Sequence, residues 1–373
     1  MTSMVEKARL VTAPGRVNLI GEHTDYNLLP VFPVALQRKV EIRFRPRADG
    51  KVRLRSENAA FGEREFDLAP VVPPYPAGDW GNYAKAAAQA LAAGGAIRRG
   101  LDGVVGGDLP MAAGLSSSSA LVVATAMALL DANGVELDRV ELAELLARGE
   151  HYVGTEGGGM DQAICLGGVR GHAVLIEFAP LRLHPVPVPE GWRFLIAHSL
   201  VTANKSAEAR QHFNQRVRSC RAAYAQLGLD MKSAREADQA ELLVRAERSL
   251  TGSLLQCFRH TVSEGRRVWQ ARQALLDNDA PEFGRLMQAS HASLRDDYQV
   301  SHPEVDRLVE VAMNAGALGA RVTGAGFGGF VVALAETARA DAVREKIERD
   351  FYGTRESQVL LVEPSDGARV YDA

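Results

Sequence analysis

The sequence has few cysteines and no long hydrophobic run. Its three cysteines among 373 residues form no CxxC pair, which excludes a disulfide scaffold and a cysteine-ligated metal site. The longest mainly apolar run covers residues 120–130, well short of the roughly 20 residues that cross a bilayer. The first ten residues are charged and lack the apolar segment of a secretory leader. We therefore expect a cytoplasmic protein with reduced thiols and no contact with a membrane.

An excess of charge of either sign is also absent. Lysine and arginine number 43 and aspartate and glutamate 46, which gives a net charge of -3. Proteins that bind nucleic acid usually carry a basic face, so we expect no nucleic-acid partner. The hydrophobic share of 46% is ordinary for a globular protein. At roughly 150 residues per domain, a chain of this length is expected to form two domains.

The hydrophobic pattern predicts an α+β protein in two parts. Strands are predicted at residues 9–13, 39–45, 51–55, 101–106, 172–178, 192–198, 330–334 and 358–362. Helices are predicted at residues 80–93, 119–132, 136–152, 206–227, 234–250, 253–277, 281–294 and 303–315. Proline recurs four times within residues 180–189, and extended proline-rich segments commonly link domains. We therefore predict an N-terminal domain at 1–185 and a C-terminal domain at 186–373.

The densest cluster of reactive side chains lies at residues 15–27, directly after the first predicted strand. It contains Arg16, Glu22, His23 and Asp25 between glycines that permit tight turns. Such a loop suits a polyol ligand, because each sugar hydroxyl needs a hydrogen-bond donor and an acceptor. The alternative interpretation is an exposed segment that caps neighbouring structure.

A second cluster, residues 109–119, ends in four consecutive serines that run into an apolar helix. Small residues and hydroxyls at a helix N-terminus present unpaired N–H groups and the positive end of the helix dipole, which favours an anion such as phosphate. No Walker sequence is present. Simple N-capping by serine is the alternative, although four serines exceed what a cap requires.

Two glycine-rich segments complete the set. Three glycines precede Asp161 within residues 155–162, which permits close approach of a ligand but is often only a turn. Residues 321–329 contain a GxGxxG match, yet a strand-like run follows it instead of a helix. That context excludes a dinucleotide-binding fold.

Together the four clusters resemble the galactokinases of the GHMP kinase family over nearly the whole chain. Residues 15–27 are similar to the galactokinase signature, 110–120 to the family's phosphate loop and 321–329 to its C-terminal glycine motif. The resemblance implies a two-domain α+β GHMP kinase fold, with mixed sheets and helices in each domain and the active site in the cleft between them. It implies transfer of the γ-phosphate of ATP to the anomeric hydroxyl of D-galactose, with Mg²⁺. We expect a monomer that binds this sugar and ATP.

The resemblance also implies roles for individual residues. Asp161 would lie beside the anomeric hydroxyl, as a base or as an orienting group, and Arg16 beside both Asp161 and the transferring phosphate. The sugar would be bound by Glu22, His23, Asp25, Gly159 and Phe213. ATP would be bound by Trp80, Gly114, Ser116, Ser117, Ser118 and Ser119, and the metal by Ser118 and Glu150. Trp80 would stack on adenine, unless it is a core tryptophan at the start of a helix.

Phe213 departs from the common galactokinase pattern. Many galactokinases carry a tyrosine there whose hydroxyl contacts the sugar. Residues 155–161, 204–205 and 212–214 look more like the N-acetylgalactosamine kinase branch. A missing phenol would leave room for a 2-acetamido group, unless Phe213 only packs within its helix. N-acetylgalactosamine kinase is therefore one alternative, and a non-catalytic sensor of galactose and ATP is another. Such sensors lose part of the serine loop, whereas residues 114–120 are intact here.

Overall fold

A computed structural model describes residues 7–92, 95, 97–110, 114–202 and 207–373, without the side chains of 207–210 and 236. The strands are β1 (Arg9–Asn18), β2 (Pro33–Arg47), β3 (Lys51–Ser56), β4 (Arg64–Asp67), β5 (Gly100–Gly107), β6 (His172–Glu177), β7 (Arg182–Pro187), β8 (Trp192–His198), β9 (Gly319–Thr323), β10 (Phe330–Glu336), β11 (Val359–Val362) and β12 (Arg369–Asp372). The helices are α1 (Gly81–Ala92), α2 (Ser117–Asn133), α3 (Arg139–Gly149), α4 (Met160–Gly167), α5 (Ala207–Gln226), α6 (Met231–Glu236), α7 (Gln239–Ser249), α8 (Gly252–Leu276), α9 (Ala280–Asp296), α10 (Pro303–Ala315) and α11 (Ala340–Ile347). Helices and strands are mixed in both halves, as the α+β prediction requires.

The strands form two large sheets and one hairpin. The first sheet has the order β12-β1-β2-β5-β3-β4, and the second has the order β11-β8-β10-β9. All pairs are antiparallel except β3 with β5. Because β12 pairs with β1, the end of the chain returns to the sheet in which it began.

Helix α2 is apolar on all sides and lies buried at the centre of the first half, as expected of a helix without a polar face. The buried cluster around it extends to Val268 of α8 and Phe283 of α9, so elements of both halves share one core.

Among the described helices, none combines the length and apolarity that a bilayer crossing requires. The domain division at residue 185 stays a prediction.

Three predicted elements differ from the structure. The proline-rich segment is no free linker: residues 182–187 form β7, which pairs with β6, and Val186 is buried. Proline is tolerated there because β7 is an edge strand with no partner on its other side. The helix predicted at 234–250 is two helices, because Asp238 accepts hydrogen bonds from the first N–H groups of α7 and starts a new helix. The helix predicted at 136–152 ends at Gly149.

Candidate active site

A cleft of about 1030 Å³ brings the four sequence clusters together. Into it open the loop after β1, the N-terminus of α2, the N-terminus of α4 and the loop between β9 and β10. These segments are far apart in sequence, and the two sheets with the buried helix α2 bring them to one place. The cleft contains every predicted site residue except Trp80.

Arg16 and Asp161 form an ion pair at the centre of the cleft. The Arg16 Nε lies 2.8 Å from Asp161 Oδ1 and one terminal nitrogen lies 3.3 Å from Oδ2, which is the forked geometry typical of strong arginine–carboxylate pairs. The other terminal nitrogen donates to the Gly114 carbonyl at 2.8 Å. The Ser116 hydroxyl also donates to Asp161. The predicted proximity of Arg16 and Asp161 is therefore present in the structure.

Local backbone geometry places Arg16. The register of β1 against β2 shifts between Pro14 and Arg16, and such bulges redirect a side chain. Gly15 sits inside this bulge, where an added Cβ would lie 2.7 Å from the Leu115 carbonyl oxygen. Only glycine allows this close approach, which brings the serine loop against Arg16.

The N-terminus of α2 faces the cleft at the serine run. Gly114 and the four serines Ser116 to Ser119 all line the cleft, and the first N–H groups of an α-helix have no partner within the helix. The positive end of the α2 dipole therefore points at the space beside Arg16, which suits an anion. Residues 111–113 of the predicted phosphate loop lie outside the described residues.

Two further carboxyl groups lie close to Asp161. Burial and the charge of Asp161 raise the pKa of Glu150 to about 7, and the same two causes raise the pKa of Asp25 to about 6. Glu150 accepts a 2.8 Å hydrogen bond from Ser119, and Asp25 accepts one of 3.4 Å from the Met160 N–H. The cleft therefore has a concentrated acidic side that a cation would neutralise.

Glu22 lines the cleft but is only 2% exposed. Its Oε1 accepts hydrogen bonds from the Gly324 N–H at 2.8 Å and the Thr323 hydroxyl at 3.0 Å. The same oxygen lies 3.5 Å from the Arg321 guanidinium, which is fully buried. Glu22 therefore fixes the glycine loop after β9, in addition to any contact with a ligand.

His23 and Phe213 belong to an aromatic cluster at the cleft wall. The Phe213 ring lies 5.7 Å from His23 and 5.6 Å from Tyr26 between centroids. Burial and the charges of His260 and Arg216 lower the pKa of His23 to about 3, so its imidazole is neutral. Phe213 thus packs against His23 and Tyr26 and also lines the cleft, so the structure is compatible with both interpretations of its role.

Trp80 lies in a second, smaller cavity of about 160 Å³. It is 8% exposed, and its indole N–H donates to the Gly62 carbonyl at 3.1 Å. Ser56, Asn58 and Ser117 line the same cavity, and Ser117 also lines the main cleft. Trp80 is therefore a buried residue beside the serine helix, and its contact with adenine stays a prediction.

Several contacts that shape the site were not predictable from the sequence. Tyr298, Thr323 and Arg321 reach under the sugar loop from the second half of the chain. Arg321 and Thr323 belong to the cluster at 321–329, but the local pattern does not indicate these contacts, because they join residues about 300 positions apart. Tyr26 lies inside the first cluster, but the composition of that cluster did not indicate a role for it.

Three descriptions of known families match the chain. "GHMP kinases N terminal domain" matches residues 82–168, and "GHMP kinases C terminal" matches residues 271–353. "Galactokinase galactose-binding signature" matches residues 3–46, the segment that carries Arg16, Glu22, His23 and Asp25.

Galactokinases are among the known proteins that are similar to the chain in sequence and in structure. The chain is 39% identical to the galactokinase of Roseiflexus sp. (strain RS-1), over 97% of this chain and 93% of that one. It is 40% identical to the galactokinase of Bos taurus, over 96% and 91%. The crystal structure of Lactococcus lactis galactokinase complexed with galactose superposes with a TM-score of 0.90 at 32% identity, covering 98% and 95%. The chain therefore belongs to the GHMP kinase family and, within it, to the galactokinases.

Proposed function

We propose that this galactokinase transfers the γ-phosphoryl group of ATP to the anomeric hydroxyl of D-galactose, giving galactose 1-phosphate and ADP. The observation that carries the proposal is the forked Arg16–Asp161 pair, which lies between the N-terminus of α2 and the loop that carries the galactose-binding signature. An acceptor hydroxyl beside Asp161 would face a phosphate held at the serine helix. The galactose-bound relative of similar structure supports the choice of sugar.

Asp161 orients the anomeric hydroxyl and takes up its proton as the new oxygen–phosphorus bond forms. Arg16 holds the Asp161 carboxylate by two hydrogen bonds and places its charge where the phosphoryl group passes. Such prepositioned charge stabilises the transition state without further reorganisation. Because phosphoryl-transfer transition states are loose, orientation of the hydroxyl contributes to catalysis together with the basicity of Asp161.

The phosphates bind at the start of α2. Gly114 and the serines 116–119 provide N–H groups, hydroxyls and the dipole of the helix. The adenine would occupy the smaller cavity and contact Trp80, since Ser117 borders both this cavity and the cleft.

The residues present fit Mg²⁺ shared with ATP. Ser118 and Glu150 line the cleft and offer the oxygen ligands that this cation prefers. The raised pKa of Glu150, caused by burial and by Asp161, reflects negative charge that a cation would relieve. Within the described chain, no three His, Cys, Asp or Glu side chains are placed to hold a metal, so phosphate oxygens would complete its shell. When bound, Mg²⁺ would neutralise charge on the β- and γ-phosphates.

The sugar binds on the opposite side, against Glu22, His23, Asp25 and Gly159. All four line the cleft beside Asp161, and carboxylates, an imidazole and a backbone amide meet the need of sugar hydroxyls for both donors and acceptors. Phe213 closes this side with an apolar ring.

N-acetylgalactosamine kinase is the second candidate, and Phe213 favours it. The ring faces the cleft without the phenolic hydroxyl, which leaves space and removes one polar contact. Residues 204–205, which also resemble that branch, lie outside the described residues. The monomeric state and the cytoplasmic location stay predictions.

Kinetics with a panel of sugars test these assignments. We expect ADP release that depends on galactose, with a higher kcat/KM for galactose than for N-acetylgalactosamine. A large preference for N-acetylgalactosamine would support the second candidate. Binding of ATP and galactose without ADP release would instead identify a sensor.

A further inference from the structure

A chain of hydrogen bonds runs beneath the sugar side of the cleft and ends at His23. The Tyr26 hydroxyl lies 2.8 Å from His23 Nδ1 and 2.6 Å from the Tyr298 hydroxyl. The Tyr298 hydroxyl in turn lies 3.4 Å from the Cys220 sulfur. All four side chains are buried, so water does not compete for these bonds.

Tyr298 is held firmly in this chain by its neighbours. It follows α9 and is fully buried. Its ring contacts two imidazoles, with centroids 4.7 Å from His23 and 4.5 Å from His260. His260 is fixed in turn, because its Nε2 bonds the Glu22 carbonyl at 3.1 Å. These ring contacts and full burial hold the Tyr298 phenol against Tyr26.

The chemistry of Cys220 and His23, the two ends of the chain of hydrogen bonds, determines which group donates in each bond. Each phenol has one proton, and an imidazole nitrogen is a much better acceptor than a thiol sulfur. The stronger arrangement therefore has Cys220 donating to Tyr298, Tyr298 to Tyr26, and Tyr26 to His23 Nδ1. Since burial keeps His23 neutral by lowering its pKa to about 3, the single ring proton then lies on Nε2.

The other ring nitrogen of His23, Nε2, is buried, and the residue lines the cleft. In the part of the chain that the structure describes, the buried Nε2 makes no hydrogen bond of good geometry. A proton on this nitrogen would therefore be left for a ligand bound beside His23 in the cleft.

We propose that Tyr26, braced by Tyr298, is a positioning residue that holds His23 in the Nε2-protonated tautomer and so presents one N–H donor to the sugar. The inference rests on the proposed contact between His23 and the sugar. On binding, a hydroxyl oxygen of the sugar accepts from this N–H. The hydrogen-bond chain thus selects for a sugar hydroxyl that is free to accept at this place.

Nitrogen NMR of the sugar-free protein tests the tautomer directly. With ¹⁵N-labelled histidine, the protonated and unprotonated ring nitrogens are told apart by their chemical shifts, and the His23→Ala spectrum assigns the signals. We expect His23 to be protonated on Nε2 alone between pH 6 and pH 8. Tyr26→Phe should populate the second tautomer, whereas Tyr298→Phe should leave Nε2 protonated because Tyr26 keeps its own proton. A wild-type proton on Nδ1, or a Tyr26→Phe spectrum like that of wild type, would overturn the proposal.

Kinetics test the consequence for the sugar. Loss of one neutral hydrogen bond corresponds to about a three- to tenfold change, so Tyr26→Phe should raise the KM for galactose by this factor. The kcat and the KM for ATP should stay within about twofold, because Asp161 and the phosphate side are untouched. The matched control is Tyr224→Phe, which removes a buried phenol whose ring packs on Phe258. An equal rise of KM in the control would contradict a specific role for Tyr26.

The His23→Ala variant separates this proposal from the one on which it rests. If the tautomer responds to Tyr26→Phe as expected but His23→Ala keeps the wild-type KM for galactose, the proposed sugar contact is wrong. If His23→Ala raises that KM while Tyr26→Phe changes neither the tautomer nor the KM, the sugar contact holds and the positioning role is wrong. Circular dichroism and Tm of each variant confirm that it is folded.

Discussion

The buried pair of Glu22 and Arg321 should tie the sugar loop to the glycine loop after β9. The Glu22 side chain is 3% exposed and that of Arg321 is 0% exposed, at 3.5 Å. Within the described chain, Arg321 has no other carboxylate at salt-bridge distance. Glu22→Gln would retain an acceptor for the Gly324 N–H but remove the carboxylate that lies at salt-bridge distance from the buried Arg321 charge. We therefore predict that Glu22→Gln destabilises the fold and raises the KM for galactose.

The size of the effect follows from the burial of the pair. Removing one partner of a buried ion pair costs about 3–5 kcal/mol, and the retained acceptor places Glu22→Gln near about 3 kcal/mol. Unfolding entropy of about 2.1 cal/mol/K per residue gives about 0.8 kcal/mol/K for a chain of 373 residues. The expected fall in Tm is therefore about 4 °C.

A double-mutant cycle with Arg321→Met isolates the pair. Arg321 also donates to the Asn18 carbonyl at 3.1 Å, and the cycle cancels the loss of this bond because Arg321→Met occurs in both the single and the double variant. Since two uncharged side chains leave no unpaired charge, the double variant should melt above Glu22→Gln, with a coupling of at least about 1 kcal/mol. As the control, Glu57→Gln breaks an exposed pair with Arg43 and should shift Tm by less than about 1 °C. Additive effects, or a Glu22→Gln shift as small as the control's, would refute the reasoning.

Three further predictions address pH, backbone and specificity. Burial and the charge of Arg267 lower the pKa of His260 to about 4 from 6.5. As the pH falls below 6.5, the unfolded state therefore takes up a proton at His260 before the folded state does, and the stability that neutral His260 contributes above pH 6.5 is progressively lost. From pH 7.5 to pH 5.5 the wild type should lose about 1.4 kcal/mol of stability relative to His260→Gln, so the difference in Tm between the two should narrow by about 2 °C. Gly158→Ala would place a Cβ 2.3 Å from the Tyr26 nitrogen and should abolish most galactose-dependent activity, whereas Gly191→Ala meets nothing within 4 Å and should behave as wild type in the same ADP assay. Phe213→Tyr should raise the ratio of kcat/KM for galactose over N-acetylgalactosamine at least about threefold; an unchanged ratio would show that Phe213 only packs.

Elements with a strong local pattern were predictable from the sequence. The prediction for residues 303–315 has the bounds of α10, and that for 192–198 has the bounds of β8. Helix α10 has one apolar face and is capped by His302, while β8 is a run of bulky apolar residues. In both cases the local signal and the tertiary packing agree, which is why periodicity alone sufficed.

Elements that depend on distant partners were missed. Strand β9 is buried at all five residues and shows no alternation, so its sequence pattern does not distinguish a strand from a loop. Strand β12 exists because it pairs with β1, almost the full length of the chain away. The break between α6 and α7 depends on capping by Asp238, which a window of helical periodicity averages out.

The candidate site also combines features that were predictable from the sequence with features that depend on distant contacts. The resemblance to galactokinases predicted that Arg16 and Asp161 meet, and the structure places them in a forked ion pair. It gave no hint of the second function of Glu22 as an anchor of the glycine loop, or of Tyr298 beneath His23. Such contacts arise from the packing of distant segments, and a single sequence contains no local record of them.

The central claim is that Asp161, held by Arg16, orients and deprotonates the sugar hydroxyl. The most direct test is the kcat of galactose-dependent ADP release by Asp161→Asn, which keeps the shape of the side chain and one oxygen for the Arg16 Nε–H. The account predicts a kcat lower by about 10²–10⁴-fold, with galactose still bound and the protein folded. A kcat within about threefold of wild type would contradict it.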